Sequence, residues 1–381
     1  MAEEVLIIGG GLLGCSAAFA LAEAGAQVTV LERAVPGAEA SSAAAGILGA
    51  HVEQHESDAM EKLAQLSLAR YPALSETLAE RTGIDVELRL HGSLRAAYAD
   101  SQLRTLRRSA RADRQRGREA IFLAARELRA AEPELSLSVK GAVEYPRDGR
   151  VAPRRLLRAL RLAAQRAGVR FRTGANVQRV EVSGERAQGV RLADGEQLSA
   201  GWVVIAAGAW TPLIAGLSIP SASIVPARGQ ILQLACAEPP LRRVVFGPDC
   251  YLVPRDDGRV LVGSTLEFTG YEKRVTAGAV QELLRAAIEL VPALSHAELL
   301  GHWSNFRPYT PDHAPLIGES EIQRLVFASG HYRNGILLAP ITAELVKHSV
   351  LCGTPPIDLS PFAPSRESLS ALPRGNALDP L

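Results

Sequence analysis

The residues whose types and spacing most directly imply chemistry are Gly9-Gly10-Gly11-Leu12-Leu13-Gly14, followed at a distance by Glu32. Three of these glycines have separable jobs. Gly9 permits a tight turn, Gly11 lets backbone approach a pyrophosphate, and Gly14 lets a helix pack closely on a strand. The N–H groups and positive dipole end of the helix that follows would face phosphate oxygens. Glu32 sits where a carboxylate accepts hydrogen bonds from a ribose diol. The elements that must position them are in register with the loop. Residues 5–8 read as a strand buried on both faces, residues 15–26 as an alanine-rich helix ending near Gly25, and residues 28–31 as the next strand, closed by Glu32. A glycine-rich turn in some other α/β fold would leave Glu32 without a reason. No second loop of this pattern follows, so one dinucleotide is expected and no separate pyridine-nucleotide domain.

Other groupings imitate chemistry without completing it. His51 and His55 lie four apart beside Glu53 and Glu56, as a helical metal pair would, yet they do not form H-E-x-x-H and no third ligand is evident. A polar face is expected there and no metal. Arg104, Arg107, Arg108, Arg111, Arg114, Arg116 and Arg118 crowd one stretch, which is read as a solvated helix and not an RNA-binding patch. The formal net charge of +1 argues against a dedicated nucleic-acid surface. Lysine occurs only at Lys62, Lys140, Lys273 and Lys347, so the arginine abundance is read as compositional bias.

The bulk properties bound the rest. A chain of 381 residues is long enough for two domains, and 47% apolar with 22% charged residues is ordinary for a protein with a real core. Cys15, Cys236, Cys250 and Cys352 are scattered without a C-x-x-C pair, which suits reduced thiols of a cytoplasmic protein. The uncharged run from Val5 to Ala22 has about membrane-spanning length. It is broken by four glycines and preceded by Glu3-Glu4, so neither a spanning helix nor a secretory signal is expected. No internal repeats are found.

Downstream, Ala40-Ser41-Ser42-Ala43-Ala44-Ala45-Gly46-Ile47 is a stretch of small residues that lets backbone lie close to a bulky planar ligand. Trp202-Val-Val-Ile-Ala-Ala-Gly208 reads as a buried strand ending in glycine, and residues 336–350 as a helix after a turn at 330–335. With Ser42–Glu53 (Ser-Ala-Ala-Ala-Gly-Ile-Leu-Gly-Ala-His-Val-Glu), Cys250-Tyr-Leu-Val-Pro-Arg255, Val262-Gly-Ser-Thr-Leu-Glu267, Arg307-Pro-Tyr-Thr-Pro-Asp312 and Gly330-His-Tyr-Arg-Asn-Gly-Ile-Leu-Leu338, these segments carry a resemblance. From about residue 3 to 353 the chain resembles the D-amino-acid-oxidase-like FAD-dependent oxidoreductase superfamily, and within it the glycine oxidases of thiamine biosynthesis.

That resemblance implies an α/β fold: a Rossmann-type FAD-binding domain with a second α+β substrate domain built on an antiparallel sheet. The FAD-binding domain is expected to be discontinuous (1–80, 142–222 and 305–355), the substrate domain to hold 81–141 and 223–304, and 356–381 to be a tail, unstructured or draped on the surface. By similarity, FAD contacts fall on Gly9, Gly11, Leu12, Leu13, Gly14, Glu32 and Arg33. They continue at Ala40, Ser41, Ala45, Gly46, Ile47, Val177 (through backbone at the adenine) and Gly208. The segment His331-Tyr332-Arg333-Asn334-Gly335-Ile336-Leu337 would lie against the isoalloxazine. Some family members attach the flavin through a Cys after the Arg307 position; residues 307–312 carry none, so FAD is expected to be non-covalent.

The resemblance places substrate contacts on Tyr251, Arg307 and Arg333. A guanidinium such as that of Arg307 pairs bidentately with a carboxylate, while the phenol of Tyr251 can hydrogen-bond the same group and wall the site. Backbone N–H groups at the start of the 336–350 helix could stabilise charge on the flavin. No acid–base residue is nominated, because positioning suffices if the amine arrives neutral. Two departures from the family concern Asp249, where His can stand, and Leu266, where Met can. Asp249 could attract a substrate ammonium, favour a secondary amine differently, or simply face solvent. The expected reaction is oxidative deamination of glycine and other small amines with O2, giving a 2-oxo acid, ammonia and hydrogen peroxide, or the imine for thiazole synthesis. The alternative is a sarcosine, D-proline or D-amino-acid oxidase or dehydrogenase. The resemblance also suggests a homotetramer; from the charge balance and the glycine-broken apolar run, no nucleic-acid or membrane partner is expected.

Overall fold

The computed structural model describes residues 2–370. The apolar run at the N-terminus forms the strand Glu4–Ile8, and two buried faces explain why it is apolar throughout. Val5 and Ile7 enter one core with three helices, whereas Leu6 and Ile8 enter another with Val177, Val180 and Val190. Side chains alternate across a strand, so each face of this sheet needs its own cover. Helices Leu12–Glu23, Pro153–Arg166 and Ala339–Lys347 cover the first. A small antiparallel sheet of Val177–Ser183, Arg186–Leu192 and Gln197–Ser199 covers the second.

Among the described residues this central sheet has six strands, in the order Leu316–Glu319, Leu325–Ser329, Trp202–Ile205, Glu4–Ile8, Gln27–Glu32, Arg170–Thr173. All neighbours are parallel except at the Leu316–Glu319 edge. Ile8 pairs with both Leu31 and Ile205, so the strand ends leading into Gly9, Glu32 and Ala206 finish side by side. Ligands of such sheets bind beyond those carboxyl ends.

A second, eight-stranded sheet runs Glu298–Tyr309, Val225–Ala235, Arg259–Gly263, Tyr251–Pro254, Val244–Phe246, Ser93–Ala97, Gly141–Tyr145, Ile121–Ala124. It is antiparallel except where Val244–Phe246 meets Ser93–Ala97. Helix Ala277–Leu290 packs on one face through Leu283, Ala287 and Leu290. The other face, with Ile231, Phe246 and Tyr251, looks toward the cavity described below.

Several expectations are corrected. Strands Gly141–Tyr145 and Glu298–Tyr309 both belong to the large sheet, so boundaries at 141/142 and 304/305 cut through strands that pair along their length. The first helix begins at Leu12, directly after the glycine turn, and ends at Glu23. The last starts at Ala339 and not Ile336, because 331–338 form turns and Pro340 fits the first turn of a helix. Residues 356–370 are packed, not loose: Phe362 and Leu369 are buried, and Arg366 donates to both carboxylate oxygens of Asp312. Residues 371–381 lie outside the described residues. The arginines at 104, 107, 108, 111, 114 and 116 are exposed, whereas Arg118 folds in to pair with Glu61 and Asp113. No helix of the described residues is long and apolar enough to cross a membrane.

Candidate active site

A cavity of about 540 Å³ runs from the glycine loop, across the ends of the central strands, to the face of the large sheet. At its first end the backbone itself shapes the surface. Gly9 has φ +109°, and a Cβ there would lie 2.5 Å from the Ala206 carbonyl oxygen. A Cβ on Gly14 would fall onto the Gly9 carbonyl oxygen, so helix and turn can meet only without it. Glu32 is fixed by two N–H donors, Gly10 N at 2.8 Å on one oxygen and Ala34 N at 2.9 Å on the other. Each oxygen keeps a lone pair that a ribose hydroxyl can use. The helix has no capping side chain of its own; Ser41 Oγ accepts from Leu12 N at 2.8 Å. Arg33 lies 3.6 Å over the ring of Trp210, which stacks on Tyr271 at 4.5 Å between centroids.

The middle of the cavity is walled by the small-residue segment and by 329–336. Two contacts from the large sheet hold the former: Arg255 Nη2 donates to Ala45 O at 2.6 Å, and Trp303 Nε1 to Ala43 O at 2.9 Å. His331 is buried with its Nε2 2.9 Å from Thr342 Oγ1. Burial drives its pKa down to about 3, and a hydrogen bond to the Ser329 backbone only partly opposes this. The ring is therefore neutral at any working pH. Arg333 Nε lies 3.7 Å from Glu53 Oε2.

At the far end Arg307 and Tyr251 come together although they stand on different strands. Arg307 donates to Ser264 Oγ at 2.5 Å and to Thr265 O at 3.1 Å. Both acceptors are neutral, and each terminal nitrogen retains a further N–H for an incoming carboxylate. Glycines make room for both side chains. Gly263 pairs directly with Tyr251, and a Cβ on it would overlap the phenol; a Cβ on Gly229 would overlap the Arg307 guanidinium. The Tyr251 ring packs against Phe246 at 6.0 Å between centroids.

Of the residues expected to hold cofactor, Gly9, Gly11, Leu12, Leu13, Glu32 and Arg33 line the cavity. So do Ala40, Ser41, Ala45, Gly46, Ile47, Val177 and Gly208, and then His331, Tyr332, Arg333, Gly335 and Ile336. Gly14, Asn334 and Leu337 do not. Gly14 faces Gly9, Leu337 is in the helix-side core, and Asn334 lines a neighbouring cavity of about 270 Å³. Asp249 is also corrected: it is exposed and pairs with Arg285 at 3.2 Å, away from the cavity. The alternation that would bring it beside Tyr251 does not extend to it, since the strand starts at Tyr251 and Asp249 sits in the preceding turn. Leu266 packs against Ala227, Tyr309 and Tyr332. His51 is committed to Asp148 through Nδ1 at 2.7 Å, and His55 to Ala50 O at 3.2 Å. Gly229, Ser264, Glu53 and Arg95 also line the site without having been singled out as site residues. Glu53 and Ser264 lay within segments that carried the resemblance; Gly229 and Arg95 gave no local signal.

The glycine loop, the Glu32 carboxylate and the elongated cavity fit a dinucleotide. Comparisons with known proteins agree. The chain is 37% identical to "Glycine oxidase" of Geobacillus kaustophilus over 366 residues, covering 95% of this chain and 97% of that one. It is 38% identical to the "Bifunctional protein ThiO/ThiG" of Synechocystis sp. over 356 residues, 92% of this chain but only 52% of that longer protein. The crystal structure of the Geobacillus kaustophilus glycine oxidase superposes with a TM-score of 0.90 at 36% identity, covering 96% of this chain and 99% of that one. The sequence model of the FAD dependent oxidoreductase family, DAO, matches residues 4–348, which hold every strand of the two large sheets and the whole cavity lining. With that match and those relatives along its length, the chain belongs to the DAO family of FAD dependent oxidoreductases.

Proposed function

We propose that the protein oxidises glycine and related small amino acids, using FAD held without a covalent bond. The balanced reaction is glycine + O2 + H2O → glyoxylate + NH3 + H2O2. The observation that carries this reading is one continuous cavity with a dinucleotide loop at one end and a guanidinium–phenol pair at the other. The names of the relatives point the same way. None of the cavity-lining residues is cysteine, which supports non-covalent attachment, and all four cysteines are free, which supports a reducing compartment such as the cytoplasm.

FAD supplies the two-electron acceptor for the carbon–hydrogen bond next to nitrogen. The chain's own residues do the rest. Arg307 binds the substrate carboxylate through the N–H groups left over from Ser264 and Thr265. Tyr251, packed against Phe246, offers its hydroxyl to the same carboxylate and walls the site. Together they fix the carbon to be oxidised, which is where most of the acceleration comes from when no base is needed. The amine must arrive neutral, so turnover at subsaturating glycine rises with pH. Arg333, which lines the same stretch of the cavity as His331 and Tyr332, would favour negative charge on the cofactor's ring system there.

Anaerobic mixing with glycine, sarcosine, D-alanine and D-proline tests the reading. Glycine should bleach the yellow flavin, and admitting air should restore the colour with release of peroxide. A flavin that none of these amines reduces would sink the proposal.

A further inference from the structure

Arg307 is held by two acceptors from a single loop, the backbone of Thr265 and the hydroxyl of Ser264. The guanidinium can be placed no better than that loop is placed. The loop is gripped from the side away from substrate. Thr265 Oγ1 accepts the Gln230 N–H at 3.0 Å and donates to Glu267 Oε1 at 2.6 Å. Gln230 Nε2 donates to the same Glu267 oxygen at 2.6 Å, and the Arg228 guanidinium binds the other. Backbone bonds join Arg228 and Glu267 in both directions, 2.8 and 3.0 Å. Arg228 and Gln230 are 2% and 1% exposed, so the clamp is anchored on its strand side by buried groups, while Thr265 and Glu267 are half-buried.

Strand alternation separates the two roles. Ala227, opposite Arg307, shares a face with Gly229 and Ile231, and the latter two line the cavity. Arg228 and Gln230 point the other way and, like Thr265 and Glu267, do not line it. The charges are divided as well. Glu267 neutralises Arg228 one layer back, while Arg307 is left with neutral acceptors on the cavity side. Burial alone would raise the Glu267 carboxyl pKa, but hydrogen bonds from Arg228, Thr265 and Gln230 outweigh it and hold the group ionised.

We propose that Thr265 and Glu267, clamped by Arg228 and Gln230, are positioning residues that set how tightly Arg307 binds the substrate carboxylate. This rests on Arg307 being the carboxylate site. The test uses flavin-loaded full-length protein, with glycine as substrate and acetate as a competing bare carboxylate. Thr265→Val removes the hydroxyl and keeps the shape; Thr265→Ser keeps the hydroxyl. Thr265→Val should raise the glycine KM and the acetate inhibition constant together by about ten-fold, with kcat within about two-fold. Thr265→Ser should stay within about two-fold on all three. Glu267→Gln, which cannot accept from Arg228, Thr265 and Gln230 at once, should repeat the Thr265→Val pattern and serves as the second variant if that protein does not fold. Unchanged KM and acetate inhibition in the folded variants would overturn the proposal, as would losses that track flavin content and melting temperature instead. Arg307→Ala separates the two readings. If acetate inhibition survives in it, the carboxylate site is wrong and the positioning role falls with it. If Arg307→Ala weakens acetate while Thr265→Val and Glu267→Gln do not, only the positioning role falls.

Discussion

The two ends of this cavity are built from different material. At the nucleotide end the working groups are backbone, supplied by one strand–turn–helix–strand unit, and the side chains that matter are mostly absent ones at Gly9, Gly11 and Gly14. At the end proposed for the amine the polar groups are side chains, Arg307 and Tyr251, brought in by strands that are distant in sequence and joined through the large sheet. Where main chain packs on main chain, as at Gly9 and Gly14, no added atom is tolerated, because the backbone it would meet cannot move aside. A side-chain site is lost group by group, because each polar contact is a separate contribution.

Substitutions at the two ends should therefore fail differently. The largest effect is expected at Gly14→Ala, whose methyl would sit on the Gly9 carbonyl oxygen. Relieving that overlap costs more than ~4 kcal/mol, so the purified protein should carry no flavin absorbance or fail to fold. A fully yellow Gly14→Ala protein would break the contrast. Next comes Arg307→Ala, which should retain flavin but weaken apparent glycine binding by ~2–5 kcal/mol, a rise in KM of roughly 30-fold to several thousand-fold.

The segment that spans both ends makes a prediction in pH. His331 has a pKa near 3 in the folded protein against 6.5 in the free side chain, so between those values only the unfolded chain takes the proton. Its contribution is full above pH 6.5 and is lost as pH falls toward 3, at up to ~1.4 kcal/mol per pH unit. Urea unfolding at pH 7.5 and 5.5 should show a loss from this group that shrinks in His331→Gln; an identical pH slope in both proteins contradicts it. Tyr251→Phe removes one hydroxyl and should cost ~0.5–1.5 kcal/mol, roughly two- to twelve-fold in kcat/KM for glycine. Asp249→Asn should be the smallest, within ~0.5 kcal/mol in any kinetic constant, because Asp249 is exposed and off the cavity. A larger loss there would put it back in the site.

What the sequence determined by itself was the nucleotide end. The glycine spacing, the apolar strand before it and Glu32 after it are all local, and steric rules allow few ways to assemble them. The family segments added FAD and pointed to Arg307 and Tyr251, but not to what holds them. That was decided by strand pairing. Gly263 opposite Tyr251, Gly229 beneath Arg307, and the Arg228–Glu267 pair behind the loop that holds Arg307 become neighbours only once strands Val225–Ala235, Tyr251–Pro254, Arg259–Gly263 and Glu298–Tyr309 are in register. The same dependence misplaced Asp249 and the start of the last helix. Both turn on where a regular element begins, which tertiary packing fixes and local propensity does not.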